Sequence, residues 1–286
     1  MTALFNPTLE PSATITSVPP LLATATQMIN SSSTPSSSPT PEPTNTPTFT
    51  LPTSGPTSTP VITQSSAGPG MRPRNSVAGI YFDSPPNIDG NFSDWGLDTY
   101  AIDSVVYGSD KRQNPGDLSG SMMVGWDETF LYIAVRVKDD QYVQNATGEM
   151  LFKGDSIEIL LDTRVSEDYF VRNLNNDDFQ LGISPGSPEI SKDPEAYLWF
   201  PRSIEGSRSK VNVGADNTDS GYRIECAIPW TIFDIEPHEN QHFGFAVSIS
   251  DNDKVGDVVQ QSMASNVPTR MLTDPTTWGD LTLVNR

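Results

Sequence analysis

The chain has 286 residues, a formal charge of −19, two histidines and one cysteine. A surface this acidic repels nucleic acid and anionic lipid while tolerating cations and neutral ligands. The lone Cys226 excludes an internal disulfide framework and a cysteine-rich zinc site, and no run approaches the roughly 18 apolar residues of a membrane span.

Residues 1–76 read as a disordered spacer. Up to residue 70 they are dominated by Ser, Thr and Pro, and Glu10 and Glu42 are the only charged side chains there. Such a segment has little to bury, and proline removes backbone donors. Ser/Thr/Pro spacers belong to secreted modular proteins, so an extracellular or cell-surface location is expected. Residues 1–6 lack the charged and apolar regions of a signal peptide, so an export signal or anchor is expected upstream of Met1, the alternative being a start site set too late.

Residues 77–286 are long enough for one good core. A first short strand is expected over 77–82, followed by the turn Asn87-Ile88-Asp89-Gly90. Residues 121–126 and 131–138 alternate as the two arms of a hairpin around Asp127-Glu128-Thr129-Phe130. In residues 154–162, Ile157, Ile159 and Leu161 alternate with Ser156, Glu158, Leu160 and Asp162, the period of a half-buried strand. Short strands follow at 179–183 and 196–200, a further hairpin at 211–213 and 222–228, and a helical turn at 229–233. The chain closes with strands at 243–249 and 278–283. Cys226 shares the parity of Ile224 and Ile228 and reads as a small buried hydrophobe. No window of ten residues forms a convincing amphipathic helix. The expectation is an all-β domain, an antiparallel two-sheet β-sandwich of jelly-roll type.

Several motifs occur together in order: Ile88-Asp89-Gly90 with Asp94-Trp95; Val124-Gly125-Trp126-Asp127 with Asp139-Asp140; Gly154-Asp155-Ser156-Ile157-Glu158; Glu225-Cys226-Ala227-Ile228-Pro229-Trp230; Asp251-Asn252-Asp253; and Trp278-Gly279-Asp280-Leu281. As a set they resemble the family 9 carbohydrate-binding modules, within the wider DOMON-like β-sandwich group, over residues 79–285. The resemblance implies non-catalytic binding of oligo- or polysaccharide, two tryptophans clamping a sugar ring, and structural calcium. Residue by residue, Phe152 stands at the first clamp position and Glu158 at the strand glutamate. The second clamp position falls at about Leu272, and the sugar-binding arginine near Leu181.

The candidate carbohydrate site is therefore Phe152, Glu158, Trp199 and Arg136. Aromatic faces stack on the C–H faces of sugars while charged groups bind the hydroxyls. Phe152 is either a platform or a loop aromatic packed under its own strand. Glu158 either accepts hydroxyls or pairs with Arg136, since both lie on the non-aliphatic faces of their strands. Trp199, within Tyr197-Leu198-Trp199-Phe200, either stacks on a sugar or packs into the core. Asp139, Asp140, Asp251 and Asp253 set oxygen ligands on loops, as calcium requires. An enzyme is not expected: the sequence has no nucleophile elbow or zinc-binding histidine motif and singles out no glycosidase carboxylate pair. A haem reading would need Met122 or Met123 with His242. The alternative function is a structural or protein-interaction sandwich, motivated by Leu272 and Leu181 where sugar-binding residues are expected. In either case the domain is expected to be monomeric.

Overall fold

The computed structural model describes residues 68–187 and 190–285; the rest of the expected spacer, residues 1–67, lies outside the described residues. The strands are β1 (Ser76–Tyr81), β2 (Tyr100–Ile102), β3 (Ser104–Tyr107), β4 (Leu118–Trp126), β5 (Phe130–Asp139), β6 (Ser156–Asp162) and β7 (Asp178–Ser184). They continue with β8 (Glu195–Phe200), β9 (Gly206–Ser207), β10 (Asn212–Thr218), β11 (Gly221–Pro229), β12 (His242–Asp251), β13 (Ser262–Ser265) and β14 (Gly279–Val284). The all-β expectation holds, including the 310 turn Trp230–Ile232 that follows β11.

Two details differ from the sandwich expected. Hydrogen bonding runs through one continuous sheet in the order β10-β11-β5-β4-β1-β14-β12-β6-β7-β8-β9, with β2 added to β4 and β13 joining β12 to β3. The pairing is also mixed, because β1 runs parallel to both β14 and β4. Its partners are distant in sequence, so no tight hairpin forces the antiparallel sense.

The sheet is curled. β5 and β6 are not paired, yet Ile133, Val135 and Val137 of β5 share one buried cluster with Ile157, Ile159 and Leu161 of β6. Alternation leaves the opposite faces of the same strands for other work. On β4 and β5, the outer residues Met123, Tyr132 and Ala134 are covered by Phe82 and Trp95. That cover is fastened by Glu225, which accepts from the Trp95 indole N–H (2.6 Å) and from the backbone N–H groups of Asp89 (2.9 Å) and Gly90 (2.6 Å). Gly90 has φ +85°, and a Cβ there would lie 2.8 Å from the Ala215 carbonyl carbon, so the Asp-Gly turn is required by packing.

Contacts to the sheet also reach ahead of β1. Arg72 is 1% exposed. Its guanidinium pairs with Asp162 at 2.8 Å and donates to the Tyr169 carbonyl at 2.7 Å, while its backbone N–H donates to Asp280 at 2.9 Å. Cys226 is fully buried against the Ile133 carbonyl, and burial pushes its thiol up to about 12. It is a core residue. No helix among the described residues is long and apolar enough to cross a membrane.

Candidate functional site

The outer face of the β6–β7–β8 side carries a cleft of about 540 Å³. Strand parity builds its floor: Leu181 and Leu198 point into the core, so Gln180, Gly182 and Trp199 take the other face. Gly182 is what lets the Trp199 ring lie down there, since a Cβ on residue 182 would come within 2.3 Å of it. The indole N–H donates to the Glu149 carbonyl at 2.8 Å, and Phe152 meets the ring edge-on at 5.9 Å. Trp199 is thus an outer-face residue, 6% exposed, in the cleft wall.

Glu158 sits at the centre of the floor. Gln180 Nε2 donates to one carboxylate oxygen at 2.6 Å, and the Arg270 guanidinium pairs with the other. Both charged side chains are nearly buried, and Arg270 Nε has no protein partner. The expected pairing of Glu158 with Arg136 is therefore corrected. Arg136 lies on β5, stacked at 5.6 Å on the Phe92 ring and lining a different hollow.

No arginine stands at the position expected near Leu181. Leu181 is core, and of the two arginines lining the cleft, Arg202 and Arg270, the one that pairs with Glu158 comes from the loop after β13. That loop also brings Met271 and Leu272 to the rim, 53% and 37% exposed. Tyr107, at the end of β3 and 54% exposed, lines the opposite wall. Sequence reasoning missed β3, β13, Tyr107 and Arg270. Three- and four-residue strands carry too few alternations to register, and an arginine in a polar loop carries no periodic signal.

The four acidic residues expected at a metal site do come together, in two overlapping groups. Asp139, Asp251 and Asp253 form one; Asp117, Asp140 and Asp253 form the other; in each, the ligand atoms lie within 4.8 Å of one another. Asp139 Oδ2, Asp251 Oδ1, Asp253 Oδ1 and Asp117 Oδ1 are buried without a hydrogen-bond donor. Burial first, then mutual repulsion, pushes Asp139 up to about 6 and Asp251 up to about 7. Orphaned carboxylate oxygens at loop ends form an all-oxygen donor set that fits a hard divalent cation. Behind them Asp155, 1% exposed, accepts from the backbone N–H groups of Val143 and Asn252. It thereby ties the segment leading to Phe152 to the loop holding Gln260, which lines the cleft. In a third group, Asp162, Asp168 and Asp177, Arg72 already supplies counter-charge to Asp162. The haem ligand set does not assemble: Met122 is in the core, and His242 Nδ1 contacts Asp280 (2.9 Å) and Thr282 (3.0 Å).

By its family, this all-β domain falls in the class of non-catalytic carbohydrate-binding modules. The chain belongs to the carbohydrate family 9 binding domain-like family, whose model matches residues 88–286. It is similar in fold to a family 9 module from Caldicellulosiruptor kristjanssonii solved with cellotriose, at 16% identity and TM-score 0.56, covering 74% of this chain and 94% of that one. A family 9 module from the same organism solved with glucose gives the same identity and TM-score, with 96% of that chain covered. A Bacteroides uniformis protein described as carbohydrate-binding aligns at 10% identity and TM-score 0.51, covering 73% of this chain and 98% of that one. No curated protein matches the chain.

Proposed function

We propose that the Phe152–Trp199 cleft binds neutral oligo- or polysaccharide, with Phe152, Trp199 and Tyr107 as apolar walls and Glu158, Gln180 and Arg270 as the polar floor. The observation that carries this reading is the Glu158–Arg270 pair at the base of an open cleft lined by Phe152, Trp199 and Tyr107. Carboxylate, amide and guanidinium groups at the base of such a cleft match the hydroxyls of a sugar. Aromatic walls add stacking on the sugar's C–H face. The Trp199 indole N–H is already engaged, so that residue contributes its ring.

The curled sheet acts as a β-sandwich whose outer face presents the cleft, and the Ser/Thr/Pro spacer holds the monomeric domain outside the cell. Calcium at Asp139, Asp251 and Asp253, with Asp140 and Asp117 beside them, holds the loops that carry Phe152 and Gln260. It supplies positive charge to the buried carboxylates and is structural.

Isothermal titration against cello-, xylo- and manno-oligosaccharides, with and without calcium, tests the reading. At least one series is expected to bind, with Phe152→Ala and Glu158→Gln each weakening it about tenfold or more, the cost of one stacking contact or one charged hydrogen bond. No binding of any series refutes it. The exposed Met271 and Leu272 would then mark the domain as a protein-interaction module.

A further inference from the structure

The outer face of β4 and β5 carries a second hollow of about 380 Å³, within the roughly 300–1,000 Å³ of small-molecule sites. The register sets Ser121 beside Arg136 and Ser119 beside Lys138. Arg112 reaches in from the preceding loop, held by its Nε donating to the Leu118 carbonyl at 2.7 Å. Across the next strand pair Arg223 lies directly opposite Arg136. Both guanidiniums sit over one phenyl ring, Phe92, at 5.8 and 5.6 Å. An adjoining hollow shares Ser121 and Arg136 and is walled by Phe92.

This concentration of positive charge is out of character with the chain, which has 17 basic and 36 acidic residues. Arg223 is paired with Asp216. Among the described residues, no carboxylate lies within ion-pair distance of Arg112, Arg136 or Lys138. Asp103 is the one carboxylate in the hollow's lining. Like charges directly opposite across strands destabilise a sheet, so the Arg136–Arg223 register has a cost that an anion would offset. The forked guanidinium is the group best matched to a carboxylate, and serine hydroxyls match the hydroxyls of a sugar.

We infer that this hollow is a second saccharide site, selective for a sugar bearing a carboxylate, with Arg136, Lys138 and Arg112 binding the oxyanion and Ser119 and Ser121 the hydroxyls. The inference rests on the carbohydrate-binding reading but uses different residues. The chain's net negative field does not prevent such binding: at physiological ionic strength charges beyond about 8 Å are largely screened, and the contacting groups are cationic. Two sites of different preference on one domain suit a polysaccharide whose neutral backbone carries acidic side groups.

The test uses the full chain, titrated with a xylo-oligosaccharide bearing one glucuronate branch, the unbranched oligosaccharide of the same length, and sodium sulfate. The branched ligand is expected to bind at least tenfold more tightly than the neutral one. Arg136→Gln with Lys138→Gln, both at exposed positions, is expected to abolish that difference and leave neutral binding unchanged, with circular dichroism confirming the fold. Phe152→Ala is expected to weaken the neutral ligand and leave a measurable affinity for free glucuronate. Equal affinity for the two oligosaccharides, or a preference that survives the double substitution, overturns the inference. Sulfate binding as tightly as glucuronate reduces the hollow to a plain anion site and also overturns it. Failure of neutral binding alone strikes the aromatic cleft and not this site.

Discussion

Chelating divalent cations is expected to invert the pH dependence of this domain's stability. Without a cation, Asp139 and Asp251 have folded pKa values near 6 and 7, against about 3.9 in an unfolded chain. A carboxyl raised in this way costs stability wherever it is ionised in the fold. The cost is full above the folded value, shrinks as pH falls through it, and vanishes below the unfolded value. At roughly 1.4 kcal/mol per pH unit, Asp251 alone costs at most about 4 kcal/mol at pH 8, and Asp139 at most about 3. The two repel each other, so these figures share a common source and do not add. The chelated domain therefore gains stability on going from pH 8 to pH 5.

Calcium reverses the sign, because bound carboxylates are ionised and protons compete with the cation. At a hundredfold excess over its dissociation constant it contributes about 2.7 kcal/mol, an increment that fades toward pH 5. Scanning calorimetry of the full chain from pH 5 to 8, in calcium and in EDTA, reads both limbs. Asp251→Asn separates them: at pH 8 in EDTA it is expected to raise Tm by roughly 10 °C, at about 2–4 °C per kcal/mol for a domain of this size, while abolishing the calcium response. Coincident calcium and EDTA curves at every pH would refute the cation site. A lower Tm for Asp251→Asn in EDTA would refute the charge argument.

Two further substitutions probe the frame around the site. Arg72→Ala leaves Asp162 buried without its counter-charge and is expected to cost about 3–5 kcal/mol in urea unfolding; a loss below about 1 kcal/mol would show that the segment before β1 is not integral to the fold. Gly182→Ala sets a methyl group within 2.3 Å of the Trp199 ring, so the indole must shift. Saccharide affinity is expected to fall several-fold with a change in tryptophan fluorescence, and an unchanged spectrum would mean that the ring does not rest on Gly182.

The parts of this domain that were legible in the sequence are those where one strand repeats its pattern. Nine- and ten-residue strands such as β4, β5, β11 and β12 alternate long enough to reveal their inner faces, and the 154–162 stretch placed Glu158 on the outer face. The single curled sheet was not legible, since alternation says which way a side chain points and not which strand lies beside it. The same limit explains the wrong partner for Glu158. Arg136 and Glu158 do share the property of facing outward, but the curl turns their two outer faces away from each other, onto opposite sides of the core.

That geometry also changes what the departures at Leu181 and Leu272 mean. A site read position by position loses its arginine when Leu181 fills the expected place, and the domain then looks stripped of its ligand. A cleft, however, needs a guanidinium at a point in space, and any loop that reaches that point can supply it. Here the loop after β13 delivers Arg270 to Glu158 from 112 positions further along the chain, and Tyr107 brings an aromatic to the wall opposite from a strand too short to detect. The second clamp position is different, because Leu272 does line the cleft and is not aromatic. Stacking is therefore expected to be weaker on that wall, with a larger share of the affinity resting on the Glu158–Arg270 floor. On this argument Glu158→Gln costs more affinity than Phe152→Ala in the same titration, and the opposite order would mean that the ring still dominates.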